Sequence, residues 1–399
     1  MPTALIDLSV LSTNTRTRGI GRYVADLGRG LSSLARGSDD LRALGLERLY
    51  WSGKADVTED IGGAIERLTR GSARRDAHKT WAYRTRVALS RAVRALQPDL
   101  VHSGHPNATP LGRLPCPRVV TCHDLIPLRF PDKYLDLGDG YRPGRERLDH
   151  RRYHSADHVI AVSRTTADDL VSMLGVPAER ITVVHNGVDL SRWSPEPDEH
   201  DASVRAHYTL DDKNYVLYVG GADWRKNHEG MLAGVERARR LSPGLDVVLA
   251  WAARLDRDER REVERTARRL GAKNALLLLG YVPDAELAAL YRGAAAQLFV
   301  SRAEGFGYPV VEAMAAGCPV ITSNVSSTAE IAGNAALLVD PEDPEAIAQA
   351  VVELASSASK RRDLSRRGTV RAAGFSLERM AEGTLEVYRR VLGATRHGV

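Results

Sequence analysis

The chain has 399 residues, 43% hydrophobic and 27% charged, with a net charge of +5. Its length exceeds what one hydrophobic core usually serves, so two domains of about 200 residues each are expected, and a composition this close to the globular average excludes a disordered or fibrous chain. There is no apolar run of about 18 residues, and MPTALIDLSVL lacks a basic leader region and cleavage site, so a cytoplasmic protein is expected. Cys116, Cys122 and Cys318 form no CxxC pair and leave an odd count, which points to buried thiols and away from a disulfide framework or a zinc site.

In chain order, aliphatic runs predict strands at 4–11, 47–51, 99–104, 118–125, 158–163 and 181–187, separated by helical patterns. Continuous apolar strands alternating with helices describe a parallel sheet covered on both faces. The first strand leads through a polar loop to Gly19-Ile20-Gly21 and a helix start, where glycines let backbone amides approach an anion at the helix N-terminus. The GxGxxG fingerprint is incomplete because position 24 is Val, so a plain turn competes evenly with a binding loop. Residues 63–97 carry Arg67, Arg70, Arg74, Arg75, Lys79, Arg84, Arg86, Arg91 and Arg94 against Glu66 and Asp76. A solvated helix face is the preferred reading of that run, with peripheral contact to the inner face of a membrane as the sharper one. Nucleic acid is not expected, because no recognition module accompanies these charges.

The strand RVVTC delivers His123 and Asp124 to its C-terminal end, where an imidazole can bond a substrate hydroxyl or move a proton and Asp124 can orient it. His102 and His105 follow another strand end, and a structural role is the more cautious reading for both. The polar segment SPEPDEHDAS reads as a linker, giving a first domain of 1–193, a linker of 194–205, a second domain of 206–375, and a C-terminal helix of 376–399 that crosses back to the first.

Beyond the linker the strand pattern resumes at 215–221, 246–252, 275–282, 296–301, 319–324 and 336–340, with helices at 256–271 and 341–359. Ligands of open α/β sheets bind outside the strand C-terminal ends, so two such domains facing each other across a cleft would place the motifs along it. YVGGADWRKN sets Arg225 and Lys226 before a helix start near Asn227, a placement suited to a diphosphate. SRAEGFGYPVVEAMAAGCPV places Glu304 and Glu312 on either side of a Gly-Phe-Gly-Tyr-Pro kink, with Pro309 fitting the first helical position and Glu312 the first turn. One ionised carboxylate can accept both hydroxyls of a sugar diol, and Gly305 and Gly307 leave room for the ligand.

Taken together, GIGRY, HDLIPLRFP, ADHVIAVS, VVHNGVD, YVGGADWRKN, LGYVPDAELAALY and EGFGYPVVEAMAAGCPVI resemble the retaining, nucleotide-sugar-dependent glycosyltransferases of the GT-B fold, in the family 4, group 1 manner. The resemblance runs over essentially the whole chain, and HDLIPLRFP is most similar to the branch that builds cell-surface polysaccharides, where mannosyl transfer from GDP-mannose is frequent. It implies that Glu304 contacts hydroxyls of the donor sugar, Glu312 the ribose, Lys226 the diphosphate with the amides of Phe306 and Gly307, and Val282 the base through its backbone. It makes His123 the active-site histidine at the sugar, and Gly19 and Gly21 part of the loop that closes over donor and acceptor. Two departures stand out. Gly221 replaces a common Arg, leaving Arg225 to supply a second cation, and Arg302-Ala303 precedes Glu304 where an aromatic is common.

The expected reaction is retaining transfer of a hexosyl group, mannosyl favoured, from a nucleotide sugar (GDP-mannose, with a UDP-sugar as the alternative) to a saccharide or lipid-linked saccharide. No cofactor or metal is required by this reading, since no Asp-x-Asp motif is placed to hold Mg²⁺ and cations with helix dipoles can stabilise the leaving group. The competing readings are a non-catalytic nucleotide-sugar-binding scaffold and a sugar-nucleotide epimerase of the same fold.

Overall fold

The computed structural model describes residues 2–13, 16, 19–35, 42–49, 55–70, 78–135 and 141–397. The chain divides into two compact units, Met1–Gly187 with Ser376–Val399, and Val188–Phe375.

The first unit holds strands β1 (Thr3–Asp7), β2 (Arg42–Leu49), β3 (Ala55–Thr58), β4 (Leu100–Ser103), β5 (Arg118–Cys122), β6 (His158–Ala161) and β7 (Ile181–Val183), in the order β3-β2-β1-β4-β5-β6-β7. All neighbours run parallel except β2 and β3. The chain winds outward from β1 to β2 and then returns to β4, so the winding reverses between β1 and β4. The antiparallel edge strand β3 is the element the sequence pattern missed, because ADVT is short and half polar. The helix Gly19–Ala35 packs Tyr23, Val24, Leu27 and Leu31 into the same core as Met380, Ala381, Val387 and Tyr388 of the C-terminal helix Leu377–His397.

The second unit holds β8 (Tyr215–Val219), β9 (Val248–Ala252), β10 (Leu276–Gly280), β11 (Ala296–Phe299), β12 (Val320–Ser323) and β13 (Leu337–Val339), wholly parallel in the order β10-β9-β8-β11-β12-β13. Here the winding reverses between β8 and β11. Its helices start where the sequence signals them: Asp256 and Glu259 form a capping box for Arg257–Arg269, and Asp343 caps Pro344–Ser356.

The stretch 194–205 is not a free linker. It lies inside the second unit, where Arg292 donates to the Ser194 carbonyl at 3.0 Å and to both Asp201 carboxylate oxygens at 2.8 and 2.5 Å. The helix Asp201–His207 begins within it, and Trp193 is buried against Tyr291. Polarity and prolines suggested a tether, but the ion pair ties them down. The three cysteines are free, with Cys122 and Cys318 buried. Among the described residues no helix is long and apolar enough to cross a membrane.

Candidate active site

The reversal point of the second sheet brings together the loops after β8 and β11, and ligands of open α/β sheets bind at such points. The first loop is fixed from below. Tyr218 donates to the Gly221 carbonyl at 2.8 Å and Trp251 to the Gly220 carbonyl at 2.7 Å. A Cβ on Gly220 would sit 2.6 Å from the Tyr218 hydroxyl, at a φ of 155°, so only glycine fits. Asp223 accepts from the Arg225 amide at 3.0 Å and starts the turn Trp224–Lys226. Asn227, left-handed at φ 56°, then caps the helix His228–Leu241 by accepting from the Gly230 amide.

The two loops are bonded to each other. The Arg302 amide donates to the Arg225 carbonyl at 2.7 Å, and the Arg302 guanidinium donates to the Trp224 carbonyl at 2.9 Å while pairing with Glu342 at 2.6 Å. The buried Asn227 amide donates to the carbonyls of Val300 at 3.1 Å and Pro341 at 2.7 Å. Neither Arg302 nor Asn227 was read from the sequence as a brace. The only available signal for Asn227 was its position just before an apolar helical pattern, which is that of a cap.

At the centre stands Glu304. Lys226 Nζ lies 2.6 Å from one carboxylate oxygen and Arg225 Nη1 2.6 Å from the other. The Glu304 side chain is 8% exposed, with Lys226 at 14% and Arg225 at 25%. Burial alone would raise the carboxyl pKa, but the charges of Lys226 and Arg225 outweigh it and hold it at about 2. Lys226 is pulled below the usual lysine range by burial, against the opposing pull of Glu304, and its ammonium lies 4.8 Å from the Phe299 ring centre. Two cations thus meet one buried carboxylate, and the more exposed Asp223 carboxylate lies 3.5 Å from the Arg225 guanidinium. The backbone of Glu304 is clamped from β12's side: its amide donates to Ser326 Oγ at 3.0 Å, and Ser327 Oγ donates to its carbonyl at 2.8 Å.

The kink behaves as its sequence demands, one residue late. Gly307, at φ 106°, is the N-cap of Tyr308–Ala315, so Pro309 is the second helical residue and Glu312 lies beyond the first turn. Phe306 is buried edge-on against Tyr308 and Phe375, and its carbonyl accepts from Ser327. Glu312 is 2% exposed, with one carboxylate oxygen 3.5 Å from the Tyr291 hydroxyl. Gly305 sits between Glu304 and Phe306 on the same loop. Val282, also buried, follows the C-terminal end of β10, beyond Gly280 at φ 77°. Apart from Gly19 and Gly21, which belong to the first unit, the residues expected at the donor follow the C-terminal ends of β8, β10 and β11 in the second unit.

In the first unit, His123 and Asp124 follow the end of β5. His123 Nε2 is 2.8 Å from the Gly104 carbonyl, which can only accept, so Nε2 carries the proton and Nδ1 keeps its lone pair. Burial holds the His123 pKa down to about 4 against the pull of that carbonyl, leaving the imidazole neutral. The Tyr23 ring packs edge-on at 4.8 Å and 79°. Asp124 does not orient His123 as expected; its carboxylate is exposed and accepts from the Ile126 amide at 3.1 Å, opening the turn that follows. Gly19 and Gly21 form the first turn of Gly19–Ala35, with Gly19 exposed and Gly21 buried. His102 and His105 are both buried, the latter edge-on to Trp81 at 5.0 Å. Arg74 and Arg75 lie outside the described residues.

Residues 17–192 match the model for Glycosyltransferase Family 4, and residues 201–371 the model for Glycosyl transferases group 1. The O-antigen chain mannosyltransferase B of Escherichia coli is 30% identical over 276 residues, which cover 68% of this chain and 70% of that one. The chain belongs to the family 4, group 1 glycosyltransferases. Another curated relative is longer: of the serotype-specific mannosyltransferase WbdA of Escherichia coli, 26% identical over 320 residues, the match covers 38%. Among solved structures, this glycosyltransferase shares its fold with the sucrose-phosphate synthase of Thermosynechococcus elongatus, at a TM-score of 0.74 and 21% identity over 99% of this chain and 100% of that one. Anabaena HepE, solved with UDP-glucose, gives a TM-score of 0.72 at 16% identity, over 98% and 100% of the two chains. The fold is GT-B, two Rossmann-like α/β units, and the enzyme class is hexosyl transfer from a nucleotide sugar.

Proposed function

We propose that this glycosyltransferase moves a mannosyl group from GDP-mannose to a hydroxyl of a saccharide or lipid-linked saccharide, in the assembly of a cell-surface polysaccharide or related glycoconjugate. The observation that carries the reading is the cluster of Glu304, Lys226 and Arg225 at the reversal point of the second sheet. The choice of mannose is supported by the O-antigen mannosyltransferase relative; a UDP-sugar donor is the alternative.

In this proposal the donor diphosphate draws Lys226 and Arg225 off Glu304, since phosphate oxygens satisfy both cations. Glu304 is then released to accept hydroxyls of the sugar ring, and Glu312 accepts those of the ribose. The amides of Phe306 and Gly307 and the helix they lead into support the diphosphate, and the Val282 backbone meets the base. Arg225 supplies the cation missing at Gly221. As the glycosidic bond breaks, charge gathers on the departing diphosphate, where the two cations are already placed. In the donor-free enzyme the two cations keep Glu304 ionised at every physiological pH, and in this proposal its part is to accept hydroxyls rather than to give up a proton. The neutral His123, with Nδ1 as acceptor, holds a substrate hydroxyl. The proton of the acceptor hydroxyl passes to the departing phosphate on the same face of the sugar, which retains the anomeric configuration. Trapping a covalent glycosyl adduct on Glu304 or His123 would refute this route.

Peripheral membrane contact is assigned to the helix His78–Leu96, which buries Leu89, Ala92 and Val93 and exposes Arg84, Arg91 and Arg94. The test of the donor reading is turnover of a panel of sugar nucleotides with saccharide acceptors. Transfer from GDP-mannose supports it, transfer only from a UDP-sugar shifts the donor, and isomerised free sugar formed without an acceptor replaces it with the epimerase reading.

A further inference from the structure

Four buried polar side chains in the first unit run in unbroken contact toward His123. The Tyr388 hydroxyl, on the C-terminal helix, is 2.7 Å from His102 Nδ1. His102 Nε2 is 2.8 Å from Thr121 Oγ1, which is 2.9 Å from the Tyr23 hydroxyl. The Tyr23 ring meets the His123 imidazole edge-on. All four are 0% exposed. The run crosses β4, β5 and two helices. Thr121 and His123 stand two positions apart at the end of β5, so strand alternation sets their side chains on one face.

Packing alone does not call for this. Phenylalanine and valine would fill the same volume without burying hydroxyls and an imidazole, each costly unless paired. Here both His102 nitrogens are bonded, and a fully paired network admits one arrangement of its members where an apolar core admits several. Burial holds the His102 pKa at about 3, so the ring is neutral and can act only as a fixed donor–acceptor link. At the far end the Gly104 carbonyl takes His123 Nε2, and a Cβ on Gly104 would come within 2.8 Å of Val24, the residue after Tyr23. The imidazole is thus held at Nε2 by a carbonyl and in a T-shaped contact by a tyrosine that is itself pinned.

We infer that Tyr23, Thr121, His102 and Tyr388 are positioning residues for His123, fixing its ring so that Nε2 stays on the Gly104 carbonyl and Nδ1 is presented to substrate. The inference rests on His123 acting at the reacting sugar. The C-terminal helix thereby has a part in the reaction, through Tyr388, that its sequence does not advertise.

The test uses the full-length enzyme and separates geometry from stability. Tyr388→Phe and Thr121→Val each remove one link at nearly constant volume; kcat is expected to fall about tenfold, as for a modest displacement of a reacting group, with donor KM and nucleoside diphosphate affinity unchanged. Val387→Ala, in the same core but outside the run, is expected to lower Tm at least as far while keeping kcat. In a His123→Ala background, Tyr388→Phe should have no further effect on kcat. Retained kcat in both link variants, an equal kcat loss in Val387→Ala, or additive losses in the double variant would each overturn the inference. If His123→Ala itself keeps full kcat, the assignment of His123 fails first and is seen to fail separately.

Discussion

Both sheets reverse their winding, yet the loops proposed to act, after β8 and β11 in one and after β5 in the other, carry opposite chemistry. In the second unit three charged side chains crowd within 2.6 Å contacts after β8 and β11, with Glu304 held ionised between Lys226 and Arg225. In the first unit the buried groups that lead to His123 are neutral, hydroxyls and a second histidine beside an imidazole with its pKa pushed down to about 4. Under the proposed function the difference follows from what each has to meet. A departing nucleoside diphosphate needs cations that are already in place, whereas a sugar hydroxyl needs a lone pair at a fixed position and is better served by a site without net charge.

The sharpest way to break this comparison is to remove the charge on the donor side. Lys226→Ala should lower kcat/KM by about 10²–10³, the usual cost of losing a transition-state charge partner, and should weaken nucleoside diphosphate binding in calorimetry. An effect below tenfold would move the diphosphate elsewhere. Glu312→Gln should weaken nucleoside diphosphate binding about tenfold, as for one lost charge-assisted hydrogen bond, with a smaller change in kcat. If kcat suffers more than binding, Glu312 is not a nucleotide contact.

The neutral side gives a prediction in pH. Folding depresses the His102 pKa from 6.5 to about 3, because burial disfavours the cation. The unfolded chain therefore binds the extra proton first. The stability this group contributes is complete above pH 6.5 and is lost as pH falls toward 3. From pH 7 to pH 5 the loss amounts to about 2 kcal/mol for this one residue. Denaturant unfolding at the two pH values should show it, and His102→Gln should remove that share; an unchanged slope in the variant would mean His102 is solvated in the folded state. His123 works in the same direction over a narrower window, down to about pH 4. The smallest effect concerns the surface: replacing Arg84, Arg91 and Arg94 should reduce co-sedimentation with anionic vesicles while leaving turnover of soluble acceptors unchanged, and unaltered co-sedimentation would return that helix face to plain solvation.

Much of this was legible before the fold. The alternation of aliphatic runs located twelve of the strands, because parallel strands buried on both faces read as continuous apolar segments. ADVT escaped because an edge strand carries no such run. GFGYP announced a kink and a helix start, with Gly307 the N-cap where the reading saw room for a ligand, and Arg225, Lys226 and Glu304 were singled out by their place after strand ends. What the sequence could not show was that they bind one another. A residue-by-residue reading assigned the cations to phosphate and the carboxylate to sugar, and missed that, without a donor, both cations are bonded to that one carboxylate. Asp124 was misjudged for a related reason: adjacency in sequence suggested a His-Asp pair, but consecutive residues at a strand end point apart, and Gly104, nineteen positions away, holds the ring. The ion pair of Arg292 with Asp201, which ties down the supposed linker, joins residues too far apart for any local pattern to reveal.

The claim most open to a direct check is that Glu304 holds the diphosphate cations in the donor-free enzyme and releases them to the donor. Titration of GDP and UDP into the wild-type enzyme and into Glu304→Gln, alongside turnover, decides it. The account predicts that the variant binds its nucleoside diphosphate as tightly as the wild type or more so, since Lys226 and Arg225 no longer have a competing carboxylate, while sugar transfer falls at least about 100-fold. Parallel losses of nucleoside diphosphate affinity and of transfer would contradict it.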